Sequence, residues 1–139
     1  MEQRKVLFPF EHGAESMWAD YLGLNRYRLD NVPLFAYGIN YGDHFTTRAE
    51  GDGLLFDRVL KRTGASTYRV TFNEGFSRDS AARLLIGEAK SRASQTSEYG
   101  DDHFALSVEN SGDREAVERL LEQGEERGFW DWEISGSSR

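Results

Sequence analysis

From Thr67 onward the chain reads as a fixed order of elements, and that order constrains the fold more than any single motif. Thr67 to Phe72 is β-branched and aromatic, which suits a strand. Ser77 is placed to cap a helix running to about Ala93, in which Ala81, Leu84, Leu85 and Ala89 share one side and Arg78, Arg83, Lys90 and Arg92 face water. A strand over Ser94 to Tyr99, a turn at Gly100-Asp101-Asp102 and a strand over Phe104 to Val108 follow. Ser111 or Asp113 can cap a second helix whose apolar face is Ala116, Val117, Leu120 and Leu121, with Gly128 ending it in the left-handed conformation. Over Phe129 to Ile134, Trp130, Trp132 and Ile134 alternate with Asp131 and Glu133, which assigns the apolar set to the core and the carboxylates to solvent. Strand, helix, strand, strand, helix, strand is the pattern of a ferredoxin-like βαββαβ lobe. The tail Ser135 to Arg139 has nothing to bury and is expected to fray.

The first half is punctuated as short strands. Lys5 to Phe10 and Glu15 to Leu22 are separated by Glu11-His12-Gly13, and Gly23-Leu24-Asn25 turns the chain into the alternating Arg26-Tyr27-Arg28-Leu29. Trp18, in the second of these strands, is expected in the core. Asp30-Asn31-Val32-Pro33 is a turn, because proline cannot donate to a strand ladder. Leu34 to Tyr37, a loop from Gly38 to Asp43 and a strand from His44 to Ala49 come next, and a hairpin at Glu50-Gly51-Asp52-Gly53 leads into Leu54 to Lys61. Closely spaced strands of this kind bury their aromatic face by curling. The expectation is an α+β chain: an N-terminal small curled antiparallel sheet or partial barrel over residues 1–63, packed in one compact unit on a ferredoxin-like lobe over 64–139.

Charge narrows the function classes. Of the 24 acidic residues, twelve lie between Glu98 and Glu133, against three arginines, a net of −9 in a chain whose total is −7. Such a field repels nucleic-acid phosphate and attracts basic surfaces, so the expected partner is a protein with a basic surface, with no nucleic acid. No apolar run approaches the roughly 20 residues of a membrane span, and the start MEQRKVLFPF is too soon interrupted to be a signal segment. The absence of cysteine excludes disulfides and thiolate chemistry and fits a reducing cytoplasm.

Catalytic signatures are missing. His12, His44 and His103 have no ligand spacing, so neither a metal nor a cofactor is expected. There is no GxSxG elbow, and Gly38 to Gly42 (GINYG) is neither a Walker loop nor a dinucleotide fingerprint. Glu122 with Glu125 or Glu126 shares a helix face, which reads as a solvated acidic surface rather than a hydrolase pair.

The residues Glu15, Trp18 and Ala19, the block YRLDNVPLFAYGINYGD from Tyr27 to Asp43, GASTYRV from Gly64 to Val70 and GEERGFWDWE from Gly124 to Glu133 resemble, in this order, a bacterial family of unknown function, number four-two-six-five. No catalytic residues are established for that family, so the resemblance implies none. Its polar signature positions correspond here to Asp30, Asn31, Asp43 and Glu125. Gly38 and Gly42 permit a sharp reversal, and Gly124 permits a helix to approach a sheet closely. Members resembling the family occur beside secreted bacterial toxins, and the resemblance thereby implies an immunity role.

The leading expectation is therefore a cytoplasmic immunity protein that blocks the active site or substrate surface of a cognate antibacterial toxin domain. Glu115, Glu118, Glu122, Glu125 and Glu126 are the expected contacts, with Tyr37, Tyr41, Asp43 and His44 as a second patch. The alternative is a ligand-binding or regulatory module without catalysis, holding a small molecule between its lobes. An enzyme using His44 with Asp43, or the glutamate cluster, ranks behind both.

Overall fold

The computed structural model describes residues 1–136, and over these the chain is α+β, with nine strands and two helices. Strands β1 (Gln3–Phe10), β2 (Gly13–Gly23), β3 (Arg26–Leu29), β4 (His44–Glu50) and β5 (Gly53–Lys61) form an antiparallel meander that closes into a barrel. Closure is made where β1 meets β5 in parallel, at Leu7 and Leu55. The expected curled sheet thus goes to full closure, which removes the exposed edges an open sheet would leave.

Period-two alternation fills the barrel with Val6, Phe8, Met17, Ala19, Tyr27, Leu29 and Phe45. The same alternation corrects the placement of Trp18. Val6 pairs with Met17 and both point inward, so Trp18 must point out; it is 44% exposed, with the Lys5 ammonium 5.1 Å from its ring centroid.

The second sheet contains β6 (Ser66–Phe72), β7 (Gln95–Tyr99), β8 (His103–Val108) and β9 (Trp130–Gly136), in the order β7-β8-β6-β9 with every neighbour antiparallel. Helices α1 (Ser80–Ser91) and α2 (Ser111–Glu126) pack on one face of it. Tyr68, Val70, Phe72, Phe104, Leu106 and Val108 from the sheet meet Ala82, Ile86, Ala89, Val117 and Leu121 from the helices. At about 1.5–3 kcal/mol for each large side chain removed from water, this layer is the main stabilising element of the C-terminal half.

Several local expectations are corrected. The cap of α1 is Asp79, whose carboxylate accepts from the Ala82 amide, and the cap of α2 is Asn110, whose amide oxygen accepts from the Asp113 amide. The buried face of α1 runs through Ala82, Ile86 and Ala89, which turns Leu84 out to 73% exposure. Of the apolar residues of β9 only Trp130 is fully buried; Trp132 is half-buried and Ile134 exposed, because an edge strand has a neighbour on one side only. Ser135 and Gly136 belong to β9, and the rest of the expected frayed tail, 137–139, lies outside the described residues.

A strap from Asp30 to Asp43 joins the two sheets. Its ends are pinned together where the Leu29 amide donates to the Asp43 carbonyl (3.0 Å) and the Gly42 amide to the Leu29 carbonyl (2.8 Å). Ala36 and Ile39 dip into the barrel core. No helix among the described residues is long and apolar enough to cross a membrane.

Candidate functional site

The strap carries the sequence block on which the family resemblance mainly rests, and its polar groups bond to the barrel on one side and to the second sheet on the other. From the barrel side, the Glu15 carboxylate accepts the amides of Leu34, Phe35 and Ala36 at 2.8, 3.0 and 2.9 Å, and the Asn31 side-chain oxygen accepts the Trp18 amide. Toward the second sheet, Arg69 on β6 donates through Nη1 to the Ala36 carbonyl (3.0 Å), and the Thr67 hydroxyl donates to Asn40 (2.6 Å). His103 on β8 reaches the Leu34 carbonyl through Nε2 (2.9 Å). A carbonyl only accepts, so Nε2 carries a proton; in the neutral ring Nδ1 then accepts from the Thr71 hydroxyl at 2.9 Å.

Beside the strap lies a cleft of about 550 Å³ with walls from both sheets. The tip of the β1–β2 hairpin supplies Pro9, Phe10, Glu11 and His12, the strap supplies Leu34, Phe35 and Tyr37, and the second sheet supplies Arg69, His103 and Glu133. Phe10, Phe35 and His103 form a near-parallel ladder, with centroids 5.7 and 5.3 Å apart and interplanar angles of 24° and 16°. Tyr99 meets Phe35 edge-on at 5.4 Å. On the cleft floor Arg69, 4% exposed, lies with its guanidinium 4.2 Å from the Tyr37 ring centroid and donates through Nε to Glu133 Oε1 (3.2 Å), with Nη2 ion-paired to the same oxygen at 3.1 Å. The Tyr37 hydroxyl donates to the same oxygen at 2.8 Å.

The residues expected as a second contact patch separate. Tyr37 is 61% exposed in the cleft wall. Asp43 is fully buried, so it is not a surface contact: its carboxylate accepts from the Asn40 amide, the Thr63 amide and the Thr63 hydroxyl. Tyr41 is half-buried, and burial, followed by the neighbouring Asp30 carboxylate that its hydroxyl bonds, holds its phenol above the ordinary value. His44, also half-buried, accepts from Arg26 Nε through Nδ1 at 3.0 Å. Burial, then Arg26, Lys61 and Arg28, push its pKa down, while Asp43 pulls the other way.

On α2, Glu115, Glu122, Glu125 and Glu126 are exposed and make no ion pair among the described residues. Glu118 differs: it is half-buried and accepts the Tyr68 hydroxyl at 2.6 Å, so it ties the helix to the sheet. Among the described residues no group of three His, Asp or Glu side chains is arranged to hold a metal.

Phe10, Phe35, Arg69, His103 and Glu133 escape sequence reasoning as a set because they come from five separate elements without common spacing. The one signal was the outward phase of Glu133 against the tryptophans of β9.

The strap just described is where the sequence is most distinctive, and the comparison with known families places it inside a match spanning residues 15–132 to the family described as "Domain of unknown function (DUF4265)". The chain belongs to the DUF4265 family. The DUF4265 chain also resembles a solved structure titled "Novel crystal structure of a hypothetical protein from Neisseria gonorrhoeae", with a TM-score of 0.77 at 16% identity, over 97% of this chain and 94% of that one. At that identity the likeness concerns the fold. Among curated proteins no match is found.

Proposed function

We propose that this DUF4265 protein is a non-catalytic binding protein that takes its ligand in the cleft between the barrel and the second sheet. The observation that carries the reading is the composition of the cleft walls: three separate parts of the fold contribute aromatic and apolar surface around a few convergent polar groups. Its volume of about 550 Å³ falls in the range of small-ligand pockets. The strand order β7-β8-β6-β9, with both helices on one face, supports reading the C-terminal half as a ferredoxin-like lobe whose other face is left for the strap and a ligand. A chain without cysteine suits the reducing cytoplasm, which we take as its compartment. The test is a ligand-observed screen of small-molecule fragments, repeated on Phe10→Ala. Hits that lose binding in the variant support the reading; a screen in which no hit responds to it rules the cleft out.

A second reading is favoured by the four exposed, unpaired glutamates of α2. They present a negative stripe suited to a basic protein surface, and a cognate antibacterial toxin domain neutralised by this chain fits that chemistry. Co-purification with the polypeptide encoded immediately upstream, and its growth toxicity with and without this protein, tests it. Relief of toxicity that Glu122→Lys with Glu126→Lys abolishes supports an immunity role, and a harmless or non-binding neighbour removes it.

A further inference from the structure

We propose that the cleft is a site for an organic cation, a guanidinium or ammonium group carried on an apolar stem. This rests on the reading of the cleft as a ligand site and specifies the chemistry it accepts.

The cation already in the cleft is engaged by the protein itself. The guanidinium of Arg69 is buried, its Nε is hydrogen-bonded to Glu133 and its Nη2 ion-paired with it, its Nη1 donates to the Ala36 carbonyl, and one face lies on the Tyr37 ring. An incoming anion would therefore find its charge already answered.

The carboxylates, by contrast, keep free acceptor capacity. Glu133 Oε1 accepts from Tyr37 and Arg69, yet Oε2 has no partner among the described residues and the side chain is 47% exposed. The Glu11 side chain, on the hairpin tip, is 86% exposed, with the His12 imidazole 3.9 Å from its Oε1. An adjoining hollow of about 170 Å³, which shares Arg69, His103 and Glu133 with the cleft, adds the exposed carboxylate of Asp131. With Glu133 answering Arg69, Glu11 and Asp131 leave two carboxylates in excess around the cleft.

The cleft wall suits a cation on an apolar stem. Phe35 is stacked between Phe10 and His103, so the rings left for a ligand are Phe10 and the exposed Tyr37, and an aromatic face beside a carboxylate attracts a cation that has shed part of its water. Pro9 and Leu34 supply apolar surface for a stem. The protein displays the same chemistry on itself, since Arg69 sits between an aromatic face and a carboxylate in the cleft floor.

Such a cation comes either as a free amine or as a basic side chain of a protein, and one titration separates the two. The full chain, ¹⁵N-labelled, is titrated with agmatine, with the peptide acetyl-Gly-Arg-Gly-amide, and with the same peptide carrying uncharged citrulline for arginine. We expect the amides of Glu11, Phe35 and Glu133 to shift with the two cations, and the citrulline peptide to bind about tenfold more weakly. Glu11→Gln with Asp131→Asn, both exposed positions outside the strap network, should erase that preference while leaving the spectrum folded. Tighter binding of the peptide than of agmatine supports the cation and assigns it to a protein; the reverse order supports it and assigns it to a free amine. Citrulline binding as well as arginine overturns the cation while leaving the cleft as a ligand site. Failure of all three probes to move any cleft amide overturns both.

Discussion

Gly124 lies so close to Trp130 that a Cβ on the glycine would stand 2.0 Å from Cζ2 of the indole. The helix is allowed against the sheet only because position 124 has no side chain, and the contact is fastened where Trp130 Nε1 donates to the Leu121 carbonyl at 2.9 Å. Gly124→Ala should destabilise the fold by about 1–3 kcal/mol through overpacking, although alanine is the better helix former. A lowered denaturant midpoint with an unchanged slope is the expected result; a gain in stability would mean that α2 slides at little cost.

The Glu15 carboxylate is the anchor of the strap on the barrel, holding three successive amides. Glu15→Ala leaves those donors without their acceptor and should cost about 2–3 kcal/mol. Hydrogen exchange locates the effect, because the amides of Leu34, Phe35 and Ala36 should lose protection before those of the barrel strands do.

Asp43→Asn tests whether this buried acid serves the fold. Whichever of its two acceptor oxygens becomes the amide nitrogen, a donor then faces the amide of Asn40 or that of Thr63, and the charge opposite Arg62 is lost, so a loss of about 2–3 kcal/mol is expected in thermal or chemical unfolding.

Leu24 is fully exposed and held at φ 51°, in the left-handed region that a branched side chain adopts at a cost. Leu24→Asn removes no packing and should stabilise the protein by about 0.5–1 kcal/mol, read as a higher unfolding midpoint.

Acid should weaken the fold in two windows. The folded pKa of His44 lies below its ordinary 6.5, so the unfolded chain binds the proton more readily, and stability is lost as pH falls from about that value through the lowered folded one. The carboxyl of Asp20 is lowered from 3.8, chiefly by the Gln3 hydrogen bond and further by Arg28, against an opposing effect of burial. Its contribution is complete above 3.8 and is lost as pH falls through the lowered value. Unfolding free energy measured against pH should show both limbs, and His44→Gln should remove the upper one.

Much of the fold was legible in the sequence because alternation and helical spacing are local. The strand and helix order after Thr67, the hairpin at Gly51 and the close approach at Gly124 all follow from residue type and neighbours a few positions away. Errors arose where a neighbour distant in sequence decided the outcome. Ser77 and Asp79 are equally good caps until the entry angle of α1 is known, and Trp18 reads as core until its pairing with Lys5 fixes the phase of β2.

The candidate site was legible only in part. Tyr37 stood out as an aromatic on a loop, but Asp43 and Glu118, equally polar in sequence, are turned inward to Thr63 and Tyr68. The sequence by itself determined that this chain has an α+β core, an acidic C-terminal quarter, and a strap whose residues are distinctive. Only the tertiary structure decided that the strap clasps two sheets and that Phe10, Arg69 and Glu133 share one cleft. The reason is physical: periodicity tells a side chain which face of its own element it occupies, whereas a cleft depends on which faces of different elements are brought together, and that is fixed by the barrel's closure and by hydrogen bonds spanning 33 to 96 residues of chain, from Arg69 to Ala36 and from Tyr37 to Glu133.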